Sequence, residues 1–409
     1  MPIPSSFPAR PAERLCRLRW PGSRIPASNA DRRFPRRFVL AVLLLTGCRP
    51  EPPPPVRIGL VAYYPTDLNG PATTHAAQLA VDEANERGGL LVGGVRRRLE
   101  IRSVTITEGS PQQAVAAVQR LINQERVCAI IGPQNSDEAI PAGGLADRSG
   151  IPLISPISSH AATTMHRPFV FRACYRDEDQ GKALAQVARR VLKAKTAAIL
   201  TEVNLAYSRT IAEVFRKEFM ALGGRIVADT TYTVSREDLA RQLQTIRASA
   251  AEVLLLPNYN TASKQIGISA RRAGIRSVFL GPDSWSRHHM RDVPEFDGSY
   301  MVTNWSPDLR TESNTRFMTA YGRRYSVEPS ETAALTYDAV NLLLAAISST
   351  PNGNPDSIQK ALYGPLNFLG TSGGIRYLAN GDPEKSVVVL QFKAGKDVIQ
   401  SVLAPGTPR

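Results

Sequence analysis

One stretch constrains the fold more than any other: residues 128–159, CAIIGPQNSDEAIPAGGLADRSGIPLISPISS. Val127 to Ile131 is a short apolar run closed by Gly132-Pro133, and Ile151 to Ile154 is a second one closed by Ser155-Pro156. Helix-compatible residues lie between them, so the stretch reads as strand, helix, strand. Parallel strands end on one edge of a sheet. The loops Gln134-Asn135-Ser136 and Ile157-Ser158-Ser159 therefore come side by side at the carboxyl edge, where open α/β sheets bind ligands. Their hydroxyls and backbone N–H groups, beside a helix that starts near Asp137, suit a carboxylate better than a cation. Ser136 and Ser159 are equally placed to serve only as helix N-caps.

The same alternation runs through most of the chain. Val56–Ala62 is a strand, the turn-rich 64–71 follows, and the helix around Ala76–Asn85 ends at Gly88-Gly89. Leu99–Ile106 is a strand, and Pro111–Asn123 is a helix with Pro in its first turn. After Phe169–Arg172 the pattern restarts at Asp177, with helices over 181–193, 208–222, 239–249 and 263–273. Strands over 196–201, 225–232, 252–257 and 277–280 separate them, the last ending at Gly281-Pro282-Asp283. Two further helices, 315–325 and 331–349, follow, and the longer one is apolar enough to pack back on the first unit. A late strand covers 387–392. The fold class is α/β: two doubly wound parallel-sheet lobes joined by a hinge.

Before Val56 the chain has a different character. Residues 1–35 are rich in Pro, Arg and Ser and read as a disordered segment or an overextended translation start. Residues 36–48 combine Arg36-Arg37 with an apolar run of eight, Phe38–Leu45. That run is far short of the ~20 residues a spanning helix needs and has the form of a secretory signal. It ends in Leu45-Thr46-Gly47-Cys48, which resembles the bacterial lipobox, whose Cys is lipidated and becomes the mature N-terminus. Residues 49–55 are a Pro-rich spacer. The lobes are then expected over 56–175 with 307–385, and over 176–306 with 386–409, with hinges near 174–177 and 306–308.

The net charge of +14 suggests nucleic acid at first sight, but nine Arg against Glu13 and Asp31 in residues 1–47 account for half of it. No aromatic-basic interleaving supports base stacking, and nucleic acid is not an expected partner. Of four cysteines, Cys16 goes with the signal and Cys48 to the lipid, leaving Cys128 and Cys174. They sit at opposite ends of parallel strands, too far apart to bridge, and are expected to be two buried thiols. The five histidines form no metal-binding spacing, and no P-loop, G-x-S-x-G elbow or G-x-G-x-x-G is present. No metal, no cofactor and no catalytic residue is expected.

The motifs Ala77-x-Leu79–Asn85-x-x-Gly88-Gly89, Ile130–Pro133, Pro152–Pro156, Phe171-Arg172 with Asp179–Gly181, and Leu280–Asp283 occur in this order. Together they resemble the branched-chain amino-acid (Leu/Ile/Val type) binding proteins of bacterial ABC importers, within the type I periplasmic binding proteins. The resemblance runs from about Val56 to beyond Lys393. It implies that an α-carboxylate is held at Ser136 and Ser158-Ser159, and an ammonium by the Ile157 carbonyl and the Asp283 side chain. It also implies that Tyr207 and Tyr259 close over the ligand, although either could be a packing or rim aromatic. The polar Pro133-Gln134-Asn135, Ser159 where Thr is often found, and the divergent 64–74 loop depart from the family pattern. The function implied is a lipid-anchored, monomeric receptor of the cell envelope that captures an amino acid or a similar molecule for an ABC permease. A sensor domain without transport is the alternative within the fold, and an envelope enzyme using Asp283 and a serine is the alternative outside it.

Overall fold

The computed structural model describes residues 52–64, 70–233 and 236–405. Cys48 and its flanking segments, and residues 65–69 of the divergent loop, lie outside them.

The first sheet is built from β1 (Val56–Tyr63), β4 (Leu99–Ile106), β5 (Ala129–Ile131), β6 (Leu153–Ser155) and β7 (Val170–Arg172), with α1 (Gly70–Glu86), the hairpin β2 (Leu90–Val92) and β3 (Val95–Arg97), α2 (Pro111–Asn123) and α3 (Ser136–Arg148) between them. All five strands are parallel, in the order β4-β1-β5-β6-β7. The three strands β5, β6 and β7 are only three residues long and completely buried, as strands covered by helices on both faces must be. Their composition follows from that position: Ala129-Ile130-Ile131 has no polar face to offer.

The second sheet takes β8 (Thr196–Glu202), β9 (Arg225–Tyr232), β10 (Val253–Leu255), β11 (Val278–Gly281) and β12 (Tyr300–Thr303), interleaved with α4 (Asp177–Gln186), α5 (Ala206–Ala221), α6 (Arg236–Ser249), α7 (Asn260–Arg272) and the single turn α8 (Arg287–Met290). The parallel order β9-β8-β10-β11-β12 repeats the connectivity of the first sheet. The remaining elements are α9 (Glu312–Tyr325), α10 (Glu331–Ser348), α11 (Pro355–Tyr363), the small sheet β13 (Phe368–Gly370), β14 (Gly373–Tyr377) and β15 (Pro383–Glu384), then β16 (Val387–Lys393) and β17 (Lys396–Leu403). β16 and β17 return to the second sheet as antiparallel strands beside β12.

α10 packs on the first sheet, as its apolar composition suggests: Leu342, Leu343 and Ile347 share a core with Ile58, Ala80 and Val81. Ser330 caps it by accepting the Ala333 N–H. The chain passes between the two sheets three times, after β7, after β12 and, by way of the small sheet, after β15. The first two passages are tied together where the Tyr175 N–H donates to Asn304 Oδ1 at 3.0 Å. Cys128 and Cys174 are both free. Cys174 is buried as expected, but Cys128 is half-buried, because it precedes β5 at the sheet's rim; burial still pushes its thiol up to about 12.

Candidate functional site

The pairing of β5 with β6 aligns Ile131 with Ile154, so the loops that follow leave the sheet together. Ser158 Oγ donates to Ser136 Oγ at 3.0 Å and shares a 2.6 Å hydrogen bond with Thr163 Oγ1. Asn135 is the residue flanking α3, in an extended conformation, so Ser136 is the first helical residue and its hydroxyl is not consumed by capping. Ser159 precedes no regular helix; His160 caps the short 3-10 turn that follows, accepting from the Ala162 N–H. The capping role open to both serines is therefore not the one they have.

These loops form one wall of a cavity of about 470 Å³. Ser136, Ile157 and Ser159 line it from the first sheet, and Tyr207, Tyr259 and Asp283 from the second. Six of the seven residues singled out as ligand contacts are brought together there. Ser158 is not in the lining: it is fully buried behind Ser136 and braces that hydroxyl.

Each lining residue of the second sheet has an identifiable support. Tyr207 opens α5 and stacks on Tyr259, with ring centroids 5.3 Å apart at 17°. Its hydroxyl donates to Asp283 Oδ1 at 2.6 Å. Asp283 follows β11 in a single 3-10 turn, where its own N–H donates to Gln180 Oε1 at 3.0 Å and its Oδ2 faces Asn304 Nδ2 at 3.4 Å. Burial raises the Asp283 carboxyl above the ordinary carboxylate range.

Sequence reasoning missed several groups around this cavity. Asn304 Nδ2 also donates to Glu331 Oε1 at 2.8 Å, and its backbone N–H reaches the same oxygen at 2.6 Å. Burial, with the charge of Asp283, raises Glu331. Asp177 is completely buried, its N–H donating to Ser159 O at 3.1 Å, and burial raises its carboxyl to about 8. The acidic run 177–179 was a visible signal, whereas Asn304 and Glu331 lie far from any motif. Glu138, in α3, is also fully buried, satisfied by Tyr63 Oη and by the N–H groups of Gly109 at 2.6 Å and Ser110 at 3.1 Å. Arg287 lines the cavity and binds Asp397 through Nε at 2.6 Å and Glu328 through Nη1 at 2.8 Å. Among the described residues no group of three or more His, Cys, Asp or Glu could hold a metal ion.

A cavity that draws hydroxyls from one parallel sheet and an acid from another, with three chain passages between, defines a two-lobed small-molecule receptor. The comparisons make the assignment specific. The periplasmic binding protein family matches residues 55–397, and the chain belongs to that family. The Leu/Ile/Val-binding protein BraC3 of Rhizobium johnstonii is 24% identical over 350 residues, covering 84% of this chain and 93% of its own length. An amino acid binding protein of Pseudomonas aeruginosa is 26% identical over 283 residues, 68% of this chain and 74% of the relative. Among solved structures, the leucine binding protein LivK of Thermotoga maritima has a TM-score of 0.75 at 26% identity, covering 86% of this chain and 99% of that one. The branched-chain amino acid transporter substrate binding protein LivJ of Streptococcus pneumoniae, solved with isoleucine, has a TM-score of 0.74 at 25% identity, with the same coverage. The expected fold and the resemblance to the Leu/Ile/Val type are both borne out.

Proposed function

We propose that this chain is an extracytoplasmic substrate-binding lipoprotein that captures an amino acid, or a molecule of the same zwitterionic chemistry, and delivers it to an ABC permease. The observation that carries this reading is the facing of Ser136 and Ser159 by Asp283 across one cavity. A zwitterion withdrawn from water needs donors for its carboxylate and an acid for its ammonium, since a buried unpaired charge is costly. Ser136, Ser159 and the N-terminal N–H groups of α3 supply the donors; Asp283 and the Ile157 carbonyl supply the acceptors. Ser158 acts from behind by holding Ser136, and the stacked Tyr207 and Tyr259 cover the ligand. No step of this work breaks a covalent bond, and the chain acts as a receptor and not as an enzyme.

Residues 56–175 with 307–385 form one lobe in this reading, and 176–306 with 386–409 the other. They close by bending at the passages between sheets, because a ligand that touches both lobes only when they are together shifts the population toward closure. Cys48, outside the described residues, carries the lipid, and residues 49–55 space the receptor from the membrane. The relatives named for Leu, Ile and Val support an amino-acid ligand.

Mass spectrometry of the small molecule that co-purifies with the protein, followed by calorimetric titration, tests the ligand. Saturable one-to-one binding with a fall in the radius of gyration is expected; an unchanged radius at saturation would refute closure. Cys48→Ser should release the protein from membranes or leave an unprocessed precursor, and a wild-type protein without acyl mass would refute the anchor.

A further inference from the structure

The cavity holds more acid than a single α-ammonium can answer. Asp283 and Glu331 meet at the Asn304 side-chain amide, whose Nδ2 lies 3.4 Å from Asp283 Oδ2 and 2.8 Å from Glu331 Oε1. Asp177 lies close enough for the charge of Asp283 to act on it. Its carboxylate is fully buried behind the lining, where the Ser159 side chain and, at 3.4 Å, the Gln180 amide donate to it. On the facing wall Glu108, Asp137 and Glu138 line the same space.

The cations in the lining do not offset these charges. Arg287 is already engaged by Asp397, at 2.6 and 3.1 Å, and by Glu328 at 2.8 Å. His288 and His289 are lowered by burial and are neutral at pH 7. Among the described residues, the apolar side chains in the lining are Ile157 and the two tyrosines. Closing this space on a branched aliphatic chain would set apolar surface against carboxyl groups, which is unfavourable.

We infer that the cleft takes an amino acid bearing a second protonated nitrogen, a diamino or guanidino acid, with Glu331 as the specificity-determining residue for the side-chain cation. The inference rests on the reading of the cleft as an amino-acid site with Asp283 at the α-ammonium. Glu331 is the first residue of α10, and both of its bonds to Asn304 fall on Oε1. A side-chain ammonium or guanidinium beside Glu331 favours the ionised form of a carboxyl that burial otherwise keeps protonated, and the two charges pair. A zwitterion with an aliphatic side chain offers Glu331 no such counter-charge.

The test titrates the whole lipidated protein, in detergent, with lysine, ornithine, arginine, leucine and norleucine; norleucine is lysine without its side-chain nitrogen. At least one basic amino acid should bind tenfold or more tighter than norleucine, and Glu331→Gln should shrink that preference at least tenfold. Glutamine keeps an acceptor for the Asn304 N–H, and Glu331→Asp is the second variant, expected to weaken the basic ligand several-fold. If either variant folds poorly, the wild-type panel decides alone. Leucine or norleucine binding as tightly as the basic amino acids would overturn the inference and leave the amino-acid reading standing. Binding of no amino acid would overturn both.

Discussion

Arg172 and Asp382 form an ion pair, Nε to Oδ1 at 2.9 Å, with the guanidinium wholly buried and the carboxylate nearly so. Arg172 ends β7, and Asp382 lies in the turn that joins β14 to β15, just ahead of the third passage between the sheets. The same guanidinium donates to Ser158 O at 3.0 Å, His160 O at 2.9 Å and Thr164 Oγ1 at 2.8 Å, while Thr164 Oγ1 donates to Asp382 Oδ1 at 2.7 Å. The serine loop of the cavity is thus fastened to the β14–β15 turn, beside the third passage, by one buried cation.

Removing either partner leaves a charge buried without its counterpart, which costs about 3–5 kcal/mol. Asp382→Ala should therefore lower the urea midpoint strongly, and Asp382→Asn less, since the amide still accepts from Thr164. Because the loop carries Ser158 and Ser159, affinity should fall as well, even though Arg172 and Asp382 do not line the cavity. Equal denaturation midpoints for wild type and Asp382→Ala would exclude this role.

Gly281 fixes the approach to Asp283. A Cβ there would lie 1.9 to 2.4 Å from ring atoms of Trp285. That ring cannot retreat: it is fully buried, its Nε1 donates to Leu256 O at 3.0 Å, and it meets Phe296 edge-on at 5.0 Å. Gly281→Ala should cost about 1–3 kcal/mol or more through overpacking and displace Asp283, lowering affinity too. Gly224→Ala, whose Cβ would meet Phe219 at 2.3 Å at the far end of α5, is the control. It should lose stability and keep its affinity. Chemical denaturation and calorimetry on both variants separate these effects.

Much of this was legible in the sequence because parallel sheets write themselves plainly. The strands 99–106, 196–201 and 387–392 and the helix Pro111–Asn123 were readable from apolar runs and punctuation alone. The hairpin Leu90–Val92 with Val95–Arg97 was missed because its side chains are mostly exposed or half-buried, so no apolar period marks it. β12 was missed although Asp297-Gly298 and Asn304 bracket it, because Tyr300–Thr303 is only four residues long and fully buried, with no alternation to mark a strand. At the site, residues next to strand ends were readable and residues brought in by long-range packing were not. Ser136, Ser159 and Asp283 follow strands β5, β6 and β11, whereas Glu331 enters from α10 and Arg172 acts through Asp382, 210 residues away by sequence number. The third passage, between β15 and β16, was expected as a lobe boundary at 385 and 386 but was not named as a hinge.

The buried carboxylates give stability a pH dependence of definite sign. Asp177 is raised to about 8, and Asp283 and Glu331 are raised as well, all chiefly by burial. Unfolded carboxyls have already lost their protons at pH 6.5, so above that pH the folded state binds more protons and stability falls as pH rises. The slope is about 1.4 kcal/mol per pH unit for each carboxyl still protonated in the fold. His75, His160, His288 and His289 are lowered by burial and work in the opposite direction, but chiefly below pH 6.5. The melting temperature of the ligand-free protein should therefore drop between pH 6.5 and 8, and Asp177→Asn should flatten the drop. A melting temperature that rises across this interval would contradict the assignment.

The division of labour between Asp283 and Ser136 gives the sharpest test of the site. With an α-amino acid bound, the ammonium joins Asp283 in a closed and dehydrated cleft, where charge-assisted hydrogen bonds are about twice as strong as neutral ones. Asp283→Ala should cost about 2–5 kcal/mol of binding. Part of that loss would come from Tyr207, whose hydroxyl now donates to Asp283 Oδ1 at 2.6 Å and would lose its acceptor. Asp283→Asn keeps an acceptor for Tyr207 and isolates the charge; it should still lose most of the affinity for an amino acid. Ser136→Ala removes one donor from the carboxylate and should cost about 1–3 kcal/mol. A simple carboxylate without an amino group should be weakened by Ser136→Ala and indifferent to Asp283→Asn. Titration of both variants with amino acids, their amides and simple carboxylates reads the two halves of the site separately. If Asp283→Asn binds every amino acid as tightly as wild type, the ammonium is not at Asp283.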